Sequence, residues 1–148
     1  MSESVPAANP SEPRPLLVQA RFTARTYDVD FMGIVSNIVH VRWLEDLRLR
    51  LLEEYLPLDE QLTAGYAPIL ARTEITYKQP VRLGETVGGQ LWVSDLGRLR
   101  WTVTAELHVG RHLAAAAVQS GAFFDLHAQQ PIPMPEPLVR AYREWPRD

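Results

Sequence analysis

The sequence predicts an α+β fold in which one long helix lies against a mostly antiparallel sheet of five or six strands. The helix is indicated by residues 36–55, a run without Gly or Pro in which apolar side chains recur at helical spacing. The strands are indicated by segments before and after this run in which apolar and polar residues alternate. The order of one strand, one helix and about four further strands predicts a meander packed on a single helix.

The first strand and the helix each bury one face. In "LVQARFTARTY" the residues Val18 and Phe22 share a face, as in a half-buried strand. The helix stops just before Pro57. Trp43 and Leu49 lie off its main apolar stripe, which predicts a wider buried surface than one sheet face covers. The stripe itself consists of Val41, Leu44, Leu47, Leu51 and Tyr55.

Four later strands are predicted over residues 69–77, 86–96, 98–109 and 112–126. The pair Gly88 and Gly89 in the second of them predicts a bulge or a tight bend. The last contains four alanines that alone favour helix, but its position directly after a hairpin partner favours a strand. The tail "PIPMPEPLVRAYREW" predicts a proline-rich extended piece and one short closing helix.

Residues 1–15 are predicted to form a disordered arm, and residues 16–148 a single domain. The arm is rich in Pro, Ser, Glu and Ala, and its apolar surface is too small to offset its ordering entropy. It lacks the basic start and apolar core of a signal peptide, and no apolar run in the chain is long enough to cross a bilayer. We therefore expect a soluble, cytoplasmic protein without a membrane span.

Composition argues against several classes of function. A formal net charge of −3 with scattered basic residues argues against nucleic acid as a partner. The absence of cysteine rules out disulfides, thiolate nucleophiles and sulfur-based zinc sites. Neither a glycine-rich phosphate loop nor a serine-nucleophile elbow occurs, and no cofactor is expected. His108 and His112 have a metal-ligand spacing, but Gly110 between them predicts a hairpin turn, and no metal site is expected.

The stretch "YDVDFMGIVSN" carries the best candidate for chemistry. Gly33 can adopt a backbone conformation that other residues avoid, and Ser36 or Asn37 can cap the helix. The N–H groups at a helix N-terminus suit an oxygen that gains negative charge during a reaction. Asp30 would then serve as general base or nucleophile on a carbonyl carbon. In the alternative interpretation, Asp28 and Asp30 only cap a strand-to-helix turn.

A second candidate lies at the start of the fourth strand. Arg98 and Arg100 alternate and therefore point the same way from the strand. Two guanidinium groups on one side can hold a phosphate. Alternating arginines on the solvent face of a sheet are the competing interpretation.

The segment "DFMGIVSNIVHVRWLE" resembles the signature of hotdog-fold thioesterases of the 4-hydroxybenzoyl-CoA thioesterase family. That signature has an Asp, two residues, Gly and an apolar pair before a helix that carries an Asn. A second family pattern, Tyr, two residues, Pro, three residues, Gly and an acid, is matched by "YKQPVRLGE". The resemblance covers about residues 18–125 and implies a hotdog fold, with the long central helix wrapped by the sheet.

The resemblance also implies an activity. Asp30 takes the place of the catalytic carboxylate of an acyl-CoA or acyl-carrier-protein thioesterase, and backbone N–H groups from Val35 to Asn37 would hold the thioester oxygen. Basic residues near Arg98 meet the nucleotide end of coenzyme A in some relatives. The family pairs its subunits edge to edge, so we expect a homodimer or homotetramer. The residues assigned to the oxyanion or substrate site are Gly33, Ile34, Val35, Asn37 and His40.

Three points stay open at this stage. His40, where relatives carry Tyr, is either a pocket or acid–base group or a packed helix histidine. The chain could also be a non-catalytic acyl-CoA binder or, with less support from its motifs, a hotdog dehydratase. The sequence does not specify the acyl group.

Overall fold

The computed structural model describes residues 4–147. It confirms the α+β class, with one long helix and six antiparallel strands. The predicted helix and all the predicted strands are present, and so is the closing helix. The sequence-based prediction missed the short helix α2 and the strand β6. In chain order the elements are β1 (Val18–Thr23), a 3-10 turn (Thr26–Asp28), α1 (Asn37–Tyr55), α2 (Leu58–Ala64), β2 (Tyr66–Tyr77), β3 (Thr86–Leu96), β4 (Trp101–Val109), β5 (His112–Asp125), β6 (Gln130–Ile132) and α3 (Glu136–Glu144).

The sheet has the strand order β1-β3-β4-β5-β2, with β6 added on β5. β2 is therefore an edge strand of 12 residues. No helix among residues 4–147 is both long and apolar enough to cross a membrane.

The paired glycines of β3 lie in regular register with β1 and β4, so the predicted bulge at this position is wrong. The register shift of β3 lies further on, between Val93 and Asp95. A Cβ on Gly89 would stand 3.0 Å from side-chain atoms of both Leu47 and Phe22. Gly89 is thus small because α1 and β1 both approach the sheet there.

Helix α1 buries more than the predicted stripe. Trp43 is buried and stacks on Phe22 of β1, with ring centroids 5.4 Å apart. Its off-stripe position therefore reflects a contact within the chain rather than surface left for a partner. Val41 is only half-buried, whereas Leu49 keeps 41% of its surface exposed. The buried residues of α1 are Val39, His40, Trp43, Leu44, Leu47 and Leu51.

The N-terminal segment differs from the disordered arm predicted for residues 1–15. Its first three residues lie outside the described residues, and residues 4–15 run along the sheet face opposite α1. The N–H of Val5 donates to Thr76 Oγ1 at 2.8 Å, and the N–H of Ala8 donates to Glu106 Oε2 at 2.8 Å. Arg14 adds an ion pair to Glu106 at 3.3 Å. The buried carboxylate of Glu106 needs such partners, which explains why this polar segment is ordered.

The alanine-rich segment forms β5, as predicted. It pairs with β4 on one side and with β2 on the other. Its small side chains are buried on both faces, with Ala114 to Ala117 each 1% exposed. His112 pairs with Val109 across the β4–β5 hairpin, which confirms a turn between the two histidines.

Candidate active site

The Asp30 loop is a tight turn closed by its own backbone. The N–H of Gly33 donates to the Asp30 carbonyl at 3.0 Å, and the N–H of Asp30 donates to the Ile34 carbonyl at 2.9 Å. Gly33 has a φ of +72°, a left-handed conformation that costs a residue with a Cβ roughly 1–2 kcal/mol. Gly33 therefore shapes the turn, which is the role its position in the sequence indicates.

The carboxylate of Asp30 is fixed by this turn at one oxygen. Its Oδ1 accepts hydrogen bonds from the N–H groups of Met32 at 2.8 Å and Ile34 at 3.1 Å. Within residues 4–147, no donor lies within hydrogen-bond distance of Oδ2, and the side chain is exposed. Asp30 thus presents one oriented and accessible carboxylate oxygen to a ligand.

The segment that matches the second motif clamps the Asp30 loop. The N–H of Val35 donates to the Val81 carbonyl at 2.8 Å, and the N–H of Leu83 donates to the Gly33 carbonyl at 3.0 Å. Ile34 and Arg82 form an isolated antiparallel bridge between these two bonds. The two motifs found in the sequence are therefore one hydrogen-bonded unit in the fold.

The N-terminus of α1 has open donors, although not all at the predicted residues. Ser36 is the N-cap residue but its side chain makes no capping bond. The N–H groups of Val35 and Ser36 are occupied by the carbonyls of Val81 and Asp28. Of the N–H groups from Val35 to Asn37 assigned from the sequence, those of Val35 and Ser36 are therefore engaged within the chain. Among the described residues, no acceptor lies near the N–H groups of Asn37 and Ile38.

Asp28 has a different environment from Asp30. Its carboxylate accepts the N–H of Arg25 at 2.9 Å, and its carbonyl accepts the N–H of Ser36 at 2.9 Å. These contacts tie the 3-10 turn to the start of α1. Asp28 therefore has a structural environment at the end of the 3-10 turn.

His40 is a packed helix histidine, 2% exposed. Its ring lies 5.4 Å from the ring of Trp43 and 5.0 Å from that of Tyr77. Nδ1 lies 3.2 Å from the Ser36 carbonyl and must carry the hydrogen, because a carbonyl only accepts. Nε2 is buried without a partner among the described residues. Burial lowers the pKa of His40, and the bond to Ser36 opposes this more weakly.

Tyr77 joins β2 to the start of α1 and was not assigned to the site from the sequence. Its hydroxyl donates to the Asn37 carbonyl at 3.1 Å, and its ring meets His40 edge-on. Burial raises the pKa of Tyr77. The signal for Tyr77 was present in the sequence, because it is the first residue of the second motif.

Large apolar side chains around the Asp30 loop remain exposed. Phe31 is fully exposed, and Met32 and Ile38 are 76% and 58% exposed. Tyr27 and Leu83 flank them at 79% and 48%. Clustered exposure of this kind is typical of an interaction surface. We call these five residues the apolar rim.

Arg98 and Arg100 lie far from Asp30 within the chain. They sit in the loop after the end of β3, whereas the clamp on the Asp30 loop precedes the start of β3. At about 3.3 Å per residue, the 11 residues of β3 span about 36 Å. The fold therefore does not bring these arginines and Asp30 into one site within a single chain.

An apolar cavity of about 660 Å³ lies between the C-terminal half of α1, the helix α2 and the sheet. Leu49, Leu62, Ile69 and Leu70 line its rim and are 40–52% exposed. The half-buried Arg48 lines it, and its guanidinium donates to Gln119 Oε1 at 2.6 Å, while Gln119 donates to Thr73 Oγ1 at 3.0 Å. The cavity falls in the size range of small-molecule sites.

Comparisons with known proteins agree with this fold. The model of the thioesterase-like superfamily matches residues 24–142. No curated protein sequence matches the chain significantly.

Among solved structures, a 1,4-dihydroxy-2-naphthoyl-CoA thioesterase from Synechocystis superposes with a TM-score of 0.78 at 18% identity, covering 86% of this chain and 96% of that one. The corresponding enzyme of Staphylococcus aureus gives 0.79 at 20% identity, with 86% and 89% covered. Another Staphylococcus aureus protein, solved in complex with CoA, gives 0.80 at 17% identity, with 89% and 87% covered. At these identities the likeness establishes the shared fold.

Proposed function

The chain belongs to the thioesterase-like superfamily, and we propose that it hydrolyses the thioester of an acyl-CoA, with Asp30 as its catalytic carboxylate. One observation carries this proposal. The oriented carboxylate of Asp30 and the uncapped N-terminus of α1 belong to the same hydrogen-bonded turn. A binding protein has no need of a carboxylate beside the thioester.

The proposed reaction uses the negative carboxylate of Asp30 and the partial positive charge at the N-terminus of α1. The thioester carbonyl oxygen accepts hydrogen bonds from the N–H groups of Asn37 and Ile38. The positive end of the helix dipole at this position stabilises the negative charge that develops on the oxygen. The free oxygen of Asp30 takes a proton from an attacking water, or attacks the carbonyl carbon itself. When Asp30 acts as the base, the C–S bond breaks, the proton that Asp30 took passes to the departing thiolate, and the free acid remains. When Asp30 acts as the nucleophile, the C–S bond breaks to give an acyl–Asp30 anhydride and a thiolate that takes its proton from solvent, and a water then hydrolyses the anhydride to the free acid and restores Asp30.

The other assigned residues support this arrangement. Gly33 makes the turn, and Ile34 donates its N–H to Asp30. Val35 anchors the loop to Val81 rather than binding substrate. His40 packs beneath the helix start, and its pKa is lowered by burial, so we assign it a positioning role.

We further propose that two copies pair through the edge strand β2. A free edge of 12 residues exposes unpaired backbone groups, and the apolar rim around the Asp30 loop is exposed in the single chain. Antiparallel pairing of two β2 strands about a twofold axis places Tyr66 of one copy near Tyr77 of the other. A second copy would thereby enclose the exposed Asp30 loop.

The apolar cavity supports an aliphatic acyl group. It is lined almost entirely by Leu, Ile, Val and aromatic side chains, and its rim residues Ile69 and Leu70 lie on β2. In the edge-paired dimer this rim adjoins the helix start of the second copy. We propose that the acyl chain enters the cavity there.

A panel of acyl-CoA and acyl-carrier-protein thioesters tests the proposed function. Free thiol is followed with a chromogenic disulfide while the acyl chain is lengthened stepwise. Release of thiol above the uncatalysed rate supports hydrolysis. Saturable binding of the same thioesters without any thiol release would favour the alternative, a non-catalytic acyl-CoA binder.

A further inference from the structure

The apolar cavity contains one cation that the proposed reaction does not use. Arg48 of α1 is half-buried and lines the cavity. Glu45 is the other charged residue of the lining and is exposed, and every remaining lining residue is apolar. Burying a charge without a partner is costly. A guanidinium group in these surroundings therefore suggests a ligand that pairs with it.

The guanidinium of Arg48 is held in place by a side-chain amide. Its Nη1 donates to Gln119 Oε1 at 2.6 Å, and Gln119 is 1% exposed. The Nε2 of Gln119 donates to Thr73 Oγ1 at 3.0 Å, so both ends of the amide are engaged and its oxygen faces Arg48. The sheet thus fixes the position of the guanidinium, but an amide cannot neutralise its charge.

The charge of Arg48 has no counter-ion among residues 4–147. Arg48 forms no ion pair with a carboxylate in this range, and its other N–H groups have no acceptor there. Burial lowers the pKa of Arg48, and the charge of Glu45, about one helical turn earlier, opposes this more weakly. A guanidinium nevertheless stays protonated in proteins. The cavity therefore holds an unpaired positive charge with open hydrogen-bond donors.

This combination specifies the end of the acyl group that fits. The apolar walls favour a methylene chain. A guanidinium binds a carboxylate through paired, charge-assisted hydrogen bonds. A terminal carboxylate would engage the open donors and neutralise the charge, whereas a terminal methyl group would do neither. Folding has already removed water from part of the guanidinium, so binding bears mainly the desolvation of the carboxylate.

We propose that the cavity selects acyl groups with a carboxylate at the end distant from the thioester, so that the substrate is the monothioester of an aliphatic dicarboxylic acid. Arg48 binds the terminal carboxylate, and Gln119 is a positioning residue that orients Arg48. This inference rests on the proposed function and narrows its substrate class. Because Gln119 fixes the guanidinium, only a limited range of chain lengths brings the carboxylate to it.

The wild-type protein provides the first test, which needs no substitution. Adipoyl-, suberoyl-, sebacoyl- and dodecanedioyl-CoA are compared with hexanoyl-, octanoyl-, decanoyl- and lauroyl-CoA, which have the same carbon numbers but end in a methyl group. At the best length we expect kcat/KM to be about 10- to 100-fold higher for the carboxylate-ended thioester. A preference for the methyl-ended thioester at every length overturns the proposal. An equal carboxylate preference at all lengths also overturns it, because a fixed guanidinium cannot produce one.

Two variants separate the charge of Arg48 from its packing. Gln119→Glu keeps an acceptor for Arg48 and can accept the Thr73 hydroxyl, but its carboxylate neutralises the guanidinium. We expect it to lower the ratio of kcat/KM between the best carboxylate-ended thioester and its methyl-ended counterpart at least about 10-fold, and Arg48→Met to do the same. Arg42→Met, at an exposed arginine of the same helix, is the matched control and should keep the ratio. Melting curves verify folding, and an unchanged ratio in folded Gln119→Glu overturns the proposal.

Calorimetry with thioethers supplies a readout that does not depend on turnover. S-carboxyalkyl-CoA and S-alkyl-CoA of the same chain lengths contain no thioester and cannot be hydrolysed. The wild type should bind the carboxylate-ended thioether at least about 10-fold more tightly at the best length, and Arg48→Met should bind both alike. Equal binding of the two by the wild type overturns the proposal. Absence of hydrolysis by the wild type, with this difference in binding retained, contradicts the proposed function alone.

Discussion

Asp28 and Asp30 are a matched pair of aspartates with different environments. Asp30→Asn keeps an acceptor for the N–H groups of Met32 and Ile34, so the loop should fold as before. It removes the base or nucleophile, and we expect kcat to fall roughly 10²- to 10⁴-fold with little change in KM. Asp28→Asn keeps its bond to Arg25 and should cost far less. Steady-state rates of both variants on the best thioester, together with their melting curves, test this difference. A folded Asp30→Asn variant with a near wild-type kcat would remove Asp30 from the mechanism.

His40 predicts a pH dependence of stability. Burial lowers its pKa in the folded state below the ordinary value of 6.5. Below that value the unfolded chain binds a proton that the folded chain resists, so the free energy of unfolding should fall as the pH decreases from 6.5 toward the folded pKa. Above 6.5 this contribution is constant. In urea titrations His40→Phe should lose this component, and an unchanged slope between wild type and variant would contradict it.

The residues of the site were predictable to different degrees for a physical reason. Asp30 and Gly33 lie in one short segment whose turn chemistry is local, so their pattern is visible in the chain. The state of the Val35 N–H depends on the Val81 carbonyl, which is 46 positions away in the sequence and adjacent only in the fold. A local pattern therefore predicted the start of the helix as the candidate donor site but not which of its N–H groups are open.

At the scale of elements, the apolar cavity predicts a dependence on acyl chain length. Each methylene that enters it should contribute about 0.8 kcal/mol, which corresponds to about fourfold in kcat/KM. Ala67 lines the cavity, and Ala67→Phe should fill part of it and shift the preferred acyl chain to a shorter length. Ala128→Phe, at an exposed position between β5 and β6, is the control. A length profile that is the same in wild type and Ala67→Phe would exclude the cavity as the acyl site.

Elements with strong local signals were predicted well. Helix α1 begins within one residue of its predicted start and ends at the predicted residue, because no Gly or Pro interrupts it. Helix α2 was missed because it is only seven residues long and directly follows Pro57. The order of the N-terminal segment depends on Glu106, 98 positions from its partner Ala8. A prediction from composition makes such a segment disordered, because composition contains no information about contacts with residues that are distant in the sequence.

At the scale of the whole molecule, apolar surface that a second copy could cover is only partly predictable from the sequence. Trp43 lies off the main stripe of α1, but Phe22 covers it within the chain. The surplus lies instead in the loop before the helix, where Phe31 and Met32 are exposed. Side-chain periodicity cannot reveal this, since loop residues have no repeating face. Only the fold shows that these side chains remain exposed in the single chain.

The apolar rim provides the means to separate assembly from folding. Phe31 is fully exposed, so Phe31→Asp removes no core contact and should leave the melting curve of a single chain unchanged. In the edge-paired dimer the same substitution buries a carboxylate against apolar neighbours in both copies, which opposes association. We expect wild type to sediment as a dimer or larger species at micromolar concentration and Phe31→Asp to shift toward monomer. Leu99→Asp, an exposed leucine in the β3–β4 loop, should leave the sedimentation unchanged. Because the acyl cavity would reach Asp30 only from a second copy, the monomeric fraction should also lose hydrolysis of long-chain acyl-CoA. A fully active monomer would contradict the shared acyl site.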